Sequence, residues 1–176
     1  SPATPQIVSY GSSTPFTFTP NTGYYISAVT VDGNSWGMPT SVTLTDIRAN
    51  HTVAVSFAIG SYTILATAGQ GGTLTTGGII ISSGTSQDFL VTHGGSRSFT
   101  IASNTGYSIS SILSDGTPTT SNPVNFTNVT ANHTVSATFA LNSYTVSTSL
   151  TTTGGSISPA SAVVSHGSTT SFTLIP

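Results

Sequence analysis

The feature that most constrains this 176-residue chain is that it repeats itself. Asn21-Thr22-Gly23-Tyr24 returns as Asn104-Thr105-Gly106-Tyr107, and Ala49-Asn50-His51-Thr52-Val53 returns as Ala131-Asn132-His133-Thr134-Val135, at spacings of 83 and 82 residues. Ser61-Tyr62-Thr63 and Ser143-Tyr144-Thr145 keep the spacing of 82, while Phe16-Thr17, Phe99-Thr100 and Phe172-Thr173 mark one point in three successive units. Such self-similarity implies one structural plan used several times, with neighbouring units as the natural partners. The expected organisation is an incomplete module at 1–58 lacking its first hairpin, a complete module at 59–140, and the start of a third at 141–176. Ser1-Pro2-Ala3 matches Ser158-Pro159-Ala160 and Pro176 matches Pro20, so the chain reads as a window of two periods and a short overlap, cut from a longer array.

Within a unit the apolar residues alternate with polar ones, as in Val53, Val55 and Phe57 or Val135, Ala137 and Phe139. That period of two belongs to half-buried strands, and helical spacing is nowhere sustained. Asp32-Gly33 and Asp115-Gly116 lie between apolar runs where positive φ is wanted, which predicts hairpin turns. Tyr24 and Ile26 share one phase while Val29 and Val31 share the other, so a β-bulge is predicted near Ser27-Ala28 and again near Ser110-Ser111. The expected fold is all-β: tandem small antiparallel β-sandwich modules, Ig-like or helix-poor β-grasp-like, of about six strands each. The middle unit carries an insertion near 76–92, since Thr76 to Gly94 takes 19 residues where Pro159 to Gly167 takes 9. Its Ile79-Ile80-Ile81 run reads as an extra edge strand of its own module, with pairing to a neighbouring subunit as the sharper alternative.

Composition narrows the function. Charged residues are 3% of the chain, and a net charge of −2 offers no basic stripe for phosphates and no polybasic patch for anionic lipid. The longest apolar runs, such as Ile79-Ile80-Ile81, fall far short of the ~20 residues a spanning helix needs. Without cysteine there are no disulfides, thiolate metal sites or thiol nucleophiles. No Gly-x-Ser-x-Gly elbow occurs, no carboxylates are paired for glycoside hydrolysis, and the Gly-Gly steps at Gly71-Gly72, Gly77-Gly78 and Gly94-Gly95 are not followed by lysine. His51 and His133 hold one repeat position and His93 and His166 another, which Tyr10 takes in the first unit, so the histidines read as structural residues at strand ends or turns. The expectation is no enzyme, no cofactor, no metal, no nucleic acid and no membrane insertion.

The ordered set of Tyr-Thr opening, Gly-Gly-Thr/Ser, Gly-x-Ser…Phe-Thr, Asn-Thr-Gly-Tyr, Val-Asp-Gly and Ala-Asn-His-Thr-Val…Phe-Ala resembles the divergent InlB B-repeat modules of large bacterial and archaeal surface proteins. The resemblance covers essentially the whole chain, three times in register. It implies stalks, adhesins and cell-wall-associated proteins, hence an extracellular or cell-surface location. The expected function is a structural repeat segment forming a stalk, fibre or extracellular filament by stacking and strand complementation. The alternative is an adhesin or carbohydrate-binding module using Trp36, Tyr24 and Tyr25. Expected partners are other copies of the chain, head-to-tail or lateral, or neighbouring repeats. Candidate contacts are Ile79, Ile80, Ile81, Trp36 and Met38, together with Tyr144 and Val146 of a terminal hairpin able to complete an open sheet in the next copy. Asn50, Asn125, Asn128 and Asn132 stand in Asn-x-Ser/Thr sequons and are the candidate sites for glycans. With so little charge, self-association should change little between low and high salt, as sedimentation velocity at two ionic strengths would show.

Overall fold

The computed structural model describes residues 5–151 and 153–176. The alternation of side chains dictates what is seen: among the described residues there are eighteen strands and no helix. In the first repeat these are β1 (Thr14–Thr17), β2 (Tyr24–Val31), β3 (Asn34–Ser35), β4 (Ser41–Leu44) and β5 (Val53–Ile59). The second repeat gives β6 (Ser61–Ala68), β7 (Gly72–Thr76), β8 (Ile79–Ile81), β9 (Ser86–Thr92), β10 (Arg97–Ser103), β11 (Tyr107–Ser114), β12 (Thr117–Thr119), β13 (Val124–Phe126) and β14 (His133–Leu141). The third gives β15 (Ser143–Ser147), β16 (Ser156–Ser158), β17 (Ser161–Ser165) and β18 (Thr173–Ile175). The second repeat thus holds nine strands against about six expected. Six of them have five residues or more, and the surplus is three strands of three residues, β8, β12 and β13.

The chain divides into two compact units. One comprises the residues up to Tyr62 with Thr92–Gly95 and Asn128–Thr130; the other comprises Thr63–Val91, Ser96–Thr127 and Ala131–Pro176. In the first, β1 pairs with β4 while β3, β2 and β5 form a second sheet. Phe18, Ile26, Val29, Val31 and Val42 make its core, with Phe16, Leu44, Val53 and Val55 only half-buried against it.

In the second unit a four-stranded sheet, ordered β13-β10-β7-β8, faces a five-stranded sheet ordered β12-β11-β14-β6-β9. Phe89 of the five-stranded sheet meets Phe99 of the other edge to face, with ring centroids 5.5 Å apart, and Phe99 is fully buried. All pairings are antiparallel but one: β6 runs parallel to β14, Ile64 opposite His133 through Ala68 opposite Ala137. The expectation of a purely antiparallel sandwich is corrected there, because the first and last long strands of the repeat lie side by side and run the same way. β15–β17 and β16–β18 are antiparallel two-stranded sheets in the same unit.

Local details follow the sequence closely. Asp32 and Gly33 (φ 51° and 77°) link β2 to β3, and Asp115 and Gly116 (φ 50° and 74°) link β11 to β12. Both signs are positive, as a type I′ turn requires. The register of β2 against β5 slips between Ile26 and Ala28, and that of β11 against β14 between Ile109 and Ser111. Each slip is the predicted bulge, and it lets Ile26 and Val29 both face the core. β8 is an edge strand of its own four-stranded sheet, paired to β7 with Leu74 opposite Ile81.

Equivalent residues differ in burial between repeats. Phe99, Val135 and Ala137 are buried, whereas Phe16, Val53 and Val55 at the same positions are half-buried, because no strand equivalent to β6 covers them. Phe99→Ala should therefore cost about 3–5 kcal/mol, and Phe16→Ala clearly less. Hydrogen exchange read separately over β10 and β1 would check the difference.

Candidate functional site

Two constellations recur at equivalent positions. The first ties each Asp-Gly turn to the strand returning beside it. Asp32 Oδ2 accepts from His51 Nδ1 at 2.7 Å and Oδ1 from the Thr52 N–H at 2.7 Å, while the Asp32 N–H donates to the Thr52 carbonyl at 2.8 Å. Asp115 does the same with His133 at 2.7 Å and with Thr134 at 2.7 and 2.9 Å. A carboxylate only accepts, so Nδ1 carries the proton in both histidines. The His51 hydrogen bond, helped by the Thr52 N–H, holds the Asp32 carboxyl below the usual range. At Asp115 burial is the largest influence and pushes upward, but the Thr134 N–H and His133 together outweigh it and the net shift is down.

The second constellation surrounds a glycine. In the first compact unit the Gly60 N–H donates to the Gly23 carbonyl at 2.7 Å and the His93 N–H to the Gly60 carbonyl at 2.8 Å. The His93 ring lies directly on Gly23, where any Cβ would overlap it, and Gly23 has φ 81°. Tyr62 closes the other side, its ring centroid 5.9 Å from that of His93. In the second unit the Asn142 N–H donates to the Gly106 carbonyl and the His166 N–H to the Asn142 carbonyl, both at 2.8 Å. His166 lies on Gly106 (φ 83°), with Tyr144 at 6.2 Å. The glycine of Asn-Thr-Gly-Tyr in one repeat is thus seated under the histidine of the next. Tyr10, the first repeat's equivalent, is exposed and has only Arg48 over its ring at 5.8 Å.

The histidine tip is itself clasped. Gly11 N–H donates to the Ile47 carbonyl at 2.8 Å and the Ile47 N–H to the Ser12 carbonyl at 3.0 Å; Gly94, Val129 and Gly95 repeat this at 2.8 and 2.9 Å. Asp46 and Asn128, beside these clasps, take φ 52° and 50°. Sequence reasoning placed the histidines and the Asp-Gly turns separately and missed that they meet. The available signal was that Asp-Gly, Asn-His-Thr, Gly-Tyr and His-Gly all recur together at one spacing.

The candidate assembly residues are dispersed. Ile81 is 1% exposed and belongs to its own core, whereas its neighbours Ile79 and Ile80 are exposed on the edge strand. Trp36 and Met38 are exposed in the loop after β3, which is anchored by Trp36 N–H to Val29 carbonyl and Val29 N–H to Gly37 carbonyl bonds. Tyr144 and Val146 are exposed on β15, and Tyr24 and Tyr25 on β2. Among the sequons, Asn50 lines a cleft, Asn125 points outward from β13 and Asn128 is exposed with its positive φ. Asn132 is exposed, but its Oδ1 accepts the Thr63 N–H at 2.9 Å. Among the described residues no three His, Asp or Glu side chains group as metal ligands would. No helix is long and apolar enough to cross a membrane. No family model matches the chain, and neither does any curated protein or solved structure.

Two outcomes follow from this geometry. The aspartate contribution to stability is complete above the ordinary value of 3.8 and is lost as pH falls through the lower folded value. Asp115→Asn should therefore flatten the acid limb of stability against pH, measured by urea unfolding at successive pH values. Gly106→Ala and Gly116→Ala should each cost about 1–2 kcal/mol for their left-handed backbone. Only Gly106→Ala should also displace His166, seen as a shift of its ring resonances by NMR, because nothing lies within 4 Å of a Cβ at Gly116.

Proposed function

We propose that this chain is a non-enzymatic structural repeat segment of a secreted or cell-surface protein, forming part of a stalk, fibre or filament. The observation that carries this is the recurrence of the glycine-histidine joint. The same backbone bonds and the same ring-on-glycine contact link a repeat to its successor at Gly23–His93 and again at Gly106–His166. A joint used twice, built mostly from main-chain groups, suits a protein that extends by adding like to like. The titratable groups also have structural employment: Asp32, Asp115, His51 and His133 are spent in turn clasps, and His93 and His166 in joints. A surface module of the kind implied by the InlB B-repeat resemblance fits this pattern, with other copies or neighbouring repeats as its partners and its sequons open to glycans.

Antibodies raised against the chain should label the outside of intact cells of its source in immunogold electron microscopy, on fibrous or stalk-like material. Label confined to the cell interior would overturn the assignment.

A further inference from the structure

Building on that structural role, we propose that the first repeat of one copy accepts β15 of a second copy as its missing strand, giving head-to-tail assembly by strand exchange. In the second repeat, β6 lies between β14 and β9 and completes the five-stranded sheet. The first repeat has β5 where β14 stands, and residues 5–9 where the end of β9 stands, but no strand between them. β5 is hydrogen-bonded on one side only, to β2, and residues 5–9 form no strand. A cleft of about 840 Å³ opens there, lined by Pro5 to Val8 on one side, Asn50 to Val53 on the other, and half-buried Phe16 and Leu44.

The chain carries the matching insert. β15 opens with Ser143-Tyr144-Thr145, the repeat equivalent of Ser61-Tyr62-Thr63 in β6, and it is paired on one side only, to β17. Transferring the β6–β14 register sets Val146 opposite His51, Thr148 opposite Val53 and Leu150 opposite Val55, all parallel. Val146 and Leu150, 41% and 55% exposed, then take the places of the fully buried Ile64 and Ala68. Asn50 would receive the Thr145 N–H as Asn132 receives that of Thr63.

A second match is independent of the strand. Tyr107 and Phe139 lie over Gly71 and Gly72, where a Cβ would strike their rings. The equivalent Tyr24 and Phe57 are exposed at 47% and 42%, with no such glycines beneath them. Gly154-Gly155, the equivalent pair in the third repeat, would arrive under them with the incoming β15. Residues 143–167 of the donor and 12–59 of the acceptor then make one complete repeat. The displaced parts are the acceptor's residues 5–11 and the donor's β18, every residue of which is exposed. His166 keeps its seat on Gly106 throughout.

The native chain lacks cysteine, so thiol cross-linking reads the register cleanly. Thr52→Cys and Ser147→Cys chains, partners in the exchanged strand pair, should give a disulfide-linked dimer on mixing and mild oxidation. Thr43→Cys with Ser147→Cys, placing the first thiol on the distant β4, should give several-fold less. The unmodified chain should lengthen into oligomers with rising concentration in sedimentation velocity, and Val146→Pro should stay monomeric while keeping its strand signal in circular dichroism. A chain monomeric at every concentration, or equal cross-linking of both cysteine pairs, overturns the exchange. If surface labelling nonetheless succeeds, the structural role stands and only the strand exchange fails.

Discussion

The rest of the structure depends on the parallel contact between the first and last long strands of a repeat, β6 and β14. Every other pairing joins strands that a turn or a short connection already brings close, whereas this one closes the repeat end to end. Its effect is measured by comparison within the molecule. Where it is present, Ile64, Ala66 and Ala68 seal the core and Phe99 is fully buried; where it is absent, the equivalent phenylalanine and two valines remain partly wet. Burial of apolar area is the main favourable term in folding, so a repeat missing one strand retains its local hairpin yet loses much of what holds its sheets together.

Much of this was legible in the residues. Alternation at Val53 to Phe57 and at Val135 to Phe139 set the strands, Asp-Gly set the turns, and the phase change after Ile26 set the bulge. Each is a local signal, carried by a few neighbouring side chains and the two-residue period of the pleat. What stayed hidden was long-range. Nothing in β6 or β14 alone says that they pair in parallel 69 residues apart at Ile64 and His133. Nothing in His93 alone says that it rests on Gly23. Short strands were hidden for the opposite reason: β8, β12 and β13 have three residues each, too few to show a period.

The joint and the core use different physics. Inside a repeat the sheets are held by apolar burial; at Gly23 and Gly106 the contact is two main-chain hydrogen bonds and a ring on a bare glycine. Hydrogen bonds between backbone groups hardly depend on side-chain identity, which lets repeats diverge in sequence while the joint persists. The inserted β8 illustrates this freedom, since it lengthens the second repeat on a sheet edge without touching either joint. Low charge acts in the same direction, because like surfaces meet with little repulsion.

The clasps at Asp32 and Asp115 bear on durability as well as on shape. An aspartate followed by glycine is the pair most given to slow ageing, in which the glycine nitrogen attacks the side-chain carboxyl and closes a cyclic imide. Here each carboxyl group has one oxygen held by a histidine and the other by a backbone N–H, all at 2.7 Å. A group gripped at both ends cannot swing toward the nitrogen behind it. The turns best suited to hairpin geometry are thereby protected against the chemistry that such turns invite, and they keep their covalent form for as long as the strands around them hold.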